Sequence, residues 1–189
     1  MPPSQRRAHL EASALEVMRE RGMAATTKEI AAQAGVAEGT IFRVFDCKED
    51  LLNSALRDAF NPAPLIEALD QIDLNQPLRE RLIQAVTLLQ ERVITLFDLM
   101  HAVGLVHPPE VHGEDAEAAH AQHLAVEASL ESLIRQDAAE LRIPAAELVQ
   151  LVRLLTFSGS NSHITRGETL APAFIVDTLL DGTRKATSC

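Results

Sequence analysis

Along most of the chain apolar residues recur at three- and four-residue intervals, and no stretch alternates apolar with polar residues as a half-buried strand would. Leu10, Ala14, Val17 and Met18 mark one face of a first helix over about 4–21, with Gly22 placed to stop it. Thr26-Thr27-Lys28-Glu29 reads as a capping box, in which a hydroxyl and a carboxylate each satisfy an orphan backbone donor; it opens a second helix running to Ala34. Gly35 stands where a tight interhelical turn needs positive φ, Val36 plugs the space behind it, and a third helix is predicted over 37–44. Asp46-Cys47-Lys48-Glu49 repeats the cap logic, and Leu51, Leu52, Ala55, Leu56 and Ala59 stripe a fourth helix. Asn61-Pro62-Ala63-Pro64 then reads as a domain boundary.

Beyond that boundary, Leu78, Leu82, Val86, Leu89, Val93, Leu96, Met100 and Val103 form a sustained stripe, broadened by Ile83, Ile94 and Phe97 into a central helix buried on several sides. The segment from His107 to Gly113 breaks the pattern, which resumes over about 116–141 with Leu124, Leu130, Leu133 and Ile134. Two more helices are predicted over 144–164 and 169–185. The expected fold is all-α, in a small N-terminal domain over 1–57 and a larger helical domain over 64–189.

Charge sharpens this division. The net charge of −10 looks unsuited to nucleic acid, yet residues 1–57 carry eight Lys/Arg against eight Asp/Glu, leaving nine against nineteen for the remainder. Phosphate affinity depends on local charge, so the first segment is free to meet DNA while the second is acidic. No apolar run is long enough to span a bilayer and no leader pattern opens the chain, so a soluble cytoplasmic protein without membrane contact is expected. Cys47 and Cys189 are too few and too far apart for a disulfide framework or a thiolate metal site.

The segment from Thr27 to Phe45 has helix-turn-helix spacing. Ile30, Ala31, Ala34, Val36, Ile41 and Val44 face inward, the small Ala31 and Ala34 allow close helix crossing, and Phe45 and Leu51 seat the pair on the first and fourth helices. The run IAAQAGVAEGTIFRVFDCKEDLL resembles, without gaps, the DNA-binding segment of the TetR family of repressors, over about 10–57. The resemblance implies a dimeric repressor that holds a palindromic double-stranded DNA operator and is released by a small-molecule effector. It places the DNA contacts at Thr27, Lys28, Ala37, Glu38, Gly39, Thr40, Phe42, Arg43 and Lys48.

Each of these positions also has a physical reason to touch DNA. Gly39 permits close approach to the backbone, Thr40 offers a hydroxyl, Arg43 can read guanine bidentately, and Lys48 with its helix's amides can hold a phosphate; Thr27 and Lys28 reach phosphate from the second helix. Three positions depart from the family pattern. Ala37 replaces a capping Ser, Phe42 lacks a phenolic hydroxyl while keeping a ring for a thymine methyl, and Glu38 opposes phosphate but can accept from cytosine.

By the same resemblance, the last two helices dimerise through Leu148, Leu151, Val152 and Leu155 with Phe174, Ile175, Thr178 and Leu179. An effector would lie among the central helices, against Leu96, Phe97, Met100, Val103, Leu124 and Phe157, with His101, His123, Asn161 or His163 as polar anchors. His120 and His123 share a helical face, with His107 and His112 close in sequence, but no cysteine or acid completes a recognisable metal set, so no metal or other cofactor is expected. An enzyme on a helical bundle is the competing class, yet the chain offers no nucleophile elbow, phosphate loop or paired-carboxylate motif, and no catalytic residue is assigned. A helical adaptor that binds protein instead of DNA is the third.

Overall fold

A computed structural model describes residues 2–109 and 113–183; His112, Lys185 and Cys189 lie outside them. The described residues form helices joined by turns and short loops, with no strand among them, and the chain divides into two compact units.

The first unit comprises Met1–Asn61 together with Leu96–Glu110. Helix α1 spans Pro3–Arg21; its first residue is a proline, whose missing N–H is unneeded at a helix start. Gly22 ends it with φ +59° and donates its N–H to the Met18 carbonyl. This glycine is required twice over, since a Cβ there would also lie 2.5 Å from the Ala102 carbonyl oxygen. Helix α2, Thr27–Gln33, opens on the predicted capping box: Thr26 Oγ1 accepts from the Glu29 N–H at 3.2 Å, and Glu29 Oε2 accepts from the Thr26 N–H at 3.0 Å. Helix α3 spans Lys48–Phe60. Leu10, Ala14 and Met18 from α1, Ile30 and Ala31 from α2, and Leu51, Leu52 and Ala55 from α3 form the core with Ile41 and Phe45.

Leu99 and Val103 belong to the same core, although the sequence assigned their helix wholly to the second domain. The first stretch of this unit ends at Asn61, and the segment from Leu96 onward belongs with it, because its apolar side chains complete that unit's interior.

The second unit comprises Pro62–Thr95 and Val111–Cys189. It opens with helix α4, Ala63–Asp70, which sequence patterning missed: Pro62 and Pro64 read as a linker, whereas proline at the first helical positions is equally a start signal. Helix α5 spans Leu78–Val103, as the stripe predicted. Helix α6, Glu114–Ile134, stops short of the predicted 141 and continues as a 3-10 segment, Arg135–Glu140. Helices α7, Ala145–Ser160, and α8, Pro172–Thr183, complete the unit. Its core joins Leu69 of α4, Leu82 and Val86 of α5, Leu130 and Ile134 of α6, Val149 and Val152 of α7, and Ile175 and Leu180 of α8.

Inside that core lies an arginine. Arg81, 1% exposed, donates to the Leu133 carbonyl oxygen at 2.5 Å and to the Asp137 carboxylate, fastening the start of α5 to the end of α6. A guanidinium is tolerated here because a carboxylate and a carbonyl meet it.

A candidate nucleic-acid interface and an internal cavity

Gly35, at φ +65°, reverses the chain after α2, and the Val36 N–H donates to the Ala31 carbonyl oxygen at 3.0 Å. His9 of α1 bonds through Nε2 to the Ala34 carbonyl oxygen at 2.9 Å, fixing the turn from the other side. The segment that follows, Glu38–Arg43, is a 3-10 helix where the sequence predicted an α-helix over 37–44. Its bonds are short-range: the Thr40 N–H donates to the Ala37 carbonyl oxygen and that of Val44 to Ile41. Six residues interrupted by Gly39, entered from an Ala37 that supplies no side-chain cap, do not sustain an α-helix.

Ile41 and Phe45 point into the core, which turns Ala37, Glu38, Gly39, Phe42 and Arg43 outward. Thr40, Thr27 and Lys48 are half-buried and Lys28 is exposed, so none of the nine expected contact residues is consumed by packing. Phe42 is 52% exposed.

Three relationships in this face were not visible in sequence. Thr27 Oγ1 donates to Glu38 Oε1 at 2.5 Å, joining the start of α2 to the start of the 3-10 segment. Arg7 lies 4.4 Å over the Phe45 ring while donating to Glu11 at 3.0 Å and to Ser54 at 2.8 Å; Ser54 in turn donates to Glu11 at 2.6 Å. This network holds the residue that ends the reading segment against α1 and α3. The cap of α3 is Cys47, whose Sγ accepts from the Asp50 N–H at 3.4 Å. One of the helix amides expected to assist Lys48 is therefore occupied. The carboxylate of Glu29 is held below the usual range by its bonds from the Thr26 hydroxyl and backbone N–H.

In the second unit, helices α5, α6 and α7 enclose a half-open cavity of about 730 Å³. Leu89, Val93, Val149, Leu154 and Phe157 supply its apolar wall, and His123, Glu127, Glu131, Arg153 and Thr156 its polar part. Of the expected effector residues, Phe157 and the polar anchor His123 line it. Leu96, Phe97, Met100 and Val103 fall in the first unit, where Val103 is buried in the core; Leu124 is exposed on α6. Asn161 Oδ1 accepts from the His163 and Ile164 amides, so it closes the turn after α7, and His163 is exposed there.

The expected dimer residues also divide. Leu148, Val152, Ile175 and Leu179 are buried within the chain's own core and Leu155 packs against it, because each lies on the inward side of its helix. Leu151, Phe174 and Thr178 are exposed, and Leu154, which the sequence reading passed over, is 57% exposed beside them on α7. Among the described residues no group of three or more His, Cys, Asp or Glu side chains is placed to hold a metal ion, and no helix is long and apolar enough to cross a membrane.

Residues 11–55 match the sequence profile of bacterial regulatory proteins, tetR family. Solved structures with the same fold span nearly the whole chain at low identity. A transcriptional regulator from Rhodococcus is 17% identical, covering 99% of this chain and 100% of its own, with a TM-score of 0.64. A TetR transcriptional regulator from Streptomyces coelicolor is 21% identical over 96% and 99%, with a TM-score of 0.57. The transcriptional regulator FadR from Bacillus subtilis, solved in complex with stearoyl-CoA, is 17% identical over 92% and 95%, with a TM-score of 0.59.

Proposed function

We propose that this chain, a DNA-binding transcriptional regulator whose residues 11–55 belong to the tetR family, works as a dimeric repressor that leaves a palindromic operator when a small molecule enters its second unit. The observation that carries the reading is the coincidence of the family match with the outward face of Glu38–Arg43, where packing leaves Gly39, Phe42 and Arg43 free for a duplex. In this reading Arg43 reads a base edge, Thr40 and Lys28 meet phosphate, and Lys48 holds a phosphate at the start of α3.

One such segment covers little DNA, so two are needed, about one helical turn or ~34–36 Å apart. Leu151, Leu154 and Phe174, with Thr178, are the apolar surface on α7 and α8 that a second copy would cover. The cavity among α5, α6 and α7 supports the effector part of the reading, as does the acyl-CoA bound by the Bacillus subtilis neighbour. The chain acts as a regulator rather than as an enzyme.

Footprinting on genomic fragments at physiological salt tests the proposal. The expected result is protection of a sequence with twofold symmetry by a dimer. Binding that is independent of sequence, or a protein monomeric at micromolar concentration, would overturn it.

A further inference from the structure

The charged groups at the cavity are unequal in number and in partnership. Arg153 donates one guanidinium nitrogen to Glu127 and another to His123 Nε2 at 2.9 Å, and His123 itself stands 3.4 Å from Glu127. The single guanidinium lining the cavity is thereby engaged. Glu131, one helical turn beyond Glu127 on α6 and half-buried, also lines the cavity, and its carboxylate has no ion-pair or hydrogen-bond partner among the described residues. Thr156, on α7, is 1% exposed, and its hydroxyl finds no partner, although its neighbour on the next turn, Ser160, does.

An orphaned buried hydroxyl is uncommon in a folded chain, and a half-buried carboxylate without a cation is free to receive one. Both lie in one cavity whose remaining wall is Leu89, Val93, Val149, Leu154 and Phe157. Resting on the effector reading above, we propose that this cavity takes a lipophilic amine: an apolar body against that wall, with a protonated nitrogen that donates to Glu131, while Thr156 lies toward the other end of the cavity. A carboxylate or an acyl phosphate-bearing ligand is disfavoured. To receive it Arg153 would have to leave Glu127, and two uncompensated carboxylates would then face the incoming anion.

Matched probes separate the possibilities. 4-Phenylbutylamine, 4-phenyl-1-butanol and 4-phenylbutyrate share one apolar body and differ only in the head group. Calorimetric titration of the full-length protein is the readout, since the chain has no Trp or Tyr to report by fluorescence. The amine should bind more tightly than the alcohol, and the carboxylate least. Glu131→Gln, which keeps side-chain volume, should weaken the amine about tenfold or more while leaving the alcohol within twofold.

Thr156→Val should leave the preference for the amine over the alcohol in place, whereas Glu131→Gln should abolish it, a difference that loss of folding does not produce. Carboxylate binding equal to or tighter than amine binding, an unchanged amine affinity in Glu131→Gln, or no binding of any of the three would each overturn the assignment. DNA release is scored separately. Amine binding without loss of operator affinity would sustain the ligand class and sink the effector reading, whereas release by the carboxylate alone would do the reverse.

Discussion

The Thr27 hydroxyl donates to Glu38 across the turn of the reading motif, at 2.5 Å, so two residues that both face outward are bonded to each other. In the proposed DNA-binding mode, a carboxylate that opposes phosphate is held by a hydroxyl that would attract it. Glu38→Gln removes one negative charge from the DNA-facing surface and should raise affinity for random duplex DNA by about 1 kcal/mol, roughly fivefold, at low salt. Operator affinity should rise less, so that discrimination narrows. Fluorescence anisotropy on a labelled operator and a scrambled duplex measures both, and an unchanged ratio would remove Glu38 from specificity.

Arg43 and Lys48 should separate in the same assay. Arg43 is exposed on the 3-10 segment and Lys48 begins α3, its ammonium only loosely approached by Glu49 at 3.9 Å. Arg43→Ala should flatten base preference at one position of each half-site, by about 1–3 kcal/mol. Lys48→Ala should weaken all duplexes alike and lower the salt dependence by about one phosphate contact. Equal loss on every sequence from both variants would contradict these roles.

Gly22→Ala should be destabilising out of proportion to its size. The position has φ +59° and a Cβ there meets a backbone oxygen at 2.5 Å, and neither fault is relieved by side-chain rotation. A loss of at least 1–2 kcal/mol by chemical denaturation is expected. A neutral outcome would mean that Gly22 and Ala102 move apart readily.

Acid should loosen the start of α2. Glu29 titrates below its usual value because the Thr26 hydroxyl and N–H bond its charged form. A lowered folded-state value means the contribution is complete above the ordinary carboxylate range and is lost as pH falls through the depressed value. Wild type should therefore approach Glu29→Gln in amide-exchange protection of residues 27–30 as pH drops below about 4. Curves that stay parallel throughout would show that the carboxylate contributes nothing.

Arg81 and Asp137 should respond asymmetrically. Asp137→Ala leaves the buried guanidinium with only the Leu133 carbonyl and should cost about 3–5 kcal/mol. Arg81→Met replaces the charge with an apolar chain of similar length and should cost markedly less. The order of the two unfolding midpoints decides the point, and a reversed order would show that the pair is worth more than its desolvation penalty.

Much of this molecule was legible in one dimension, for reasons that are local. The capping box at Thr26 and Glu29, the positive φ at Gly22 and Gly35, and the stripe from Leu78 to Val103 each depend on residues within a turn or two of one another. The inward set of the reading motif follows from the same periodicity, which is why Ile41 and Phe45 are buried and Phe42 and Arg43 are not.

What tertiary structure decided was which neighbour each apolar or charged group meets. Sequence shows that Val152 and Ile175 are apolar but not which side of the helix meets the chain's own core, so residues expected at a dimer surface lie inside it, while Leu154 does not. Nor does periodicity show that α5 changes allegiance at Leu96, that Arg81 finds Asp137 fifty-six residues away, or that Glu131 has no cation beside it among the described residues. Helical spacing fixes a side chain's direction relative to its own axis; the packing of the helices fixes what lies in that direction.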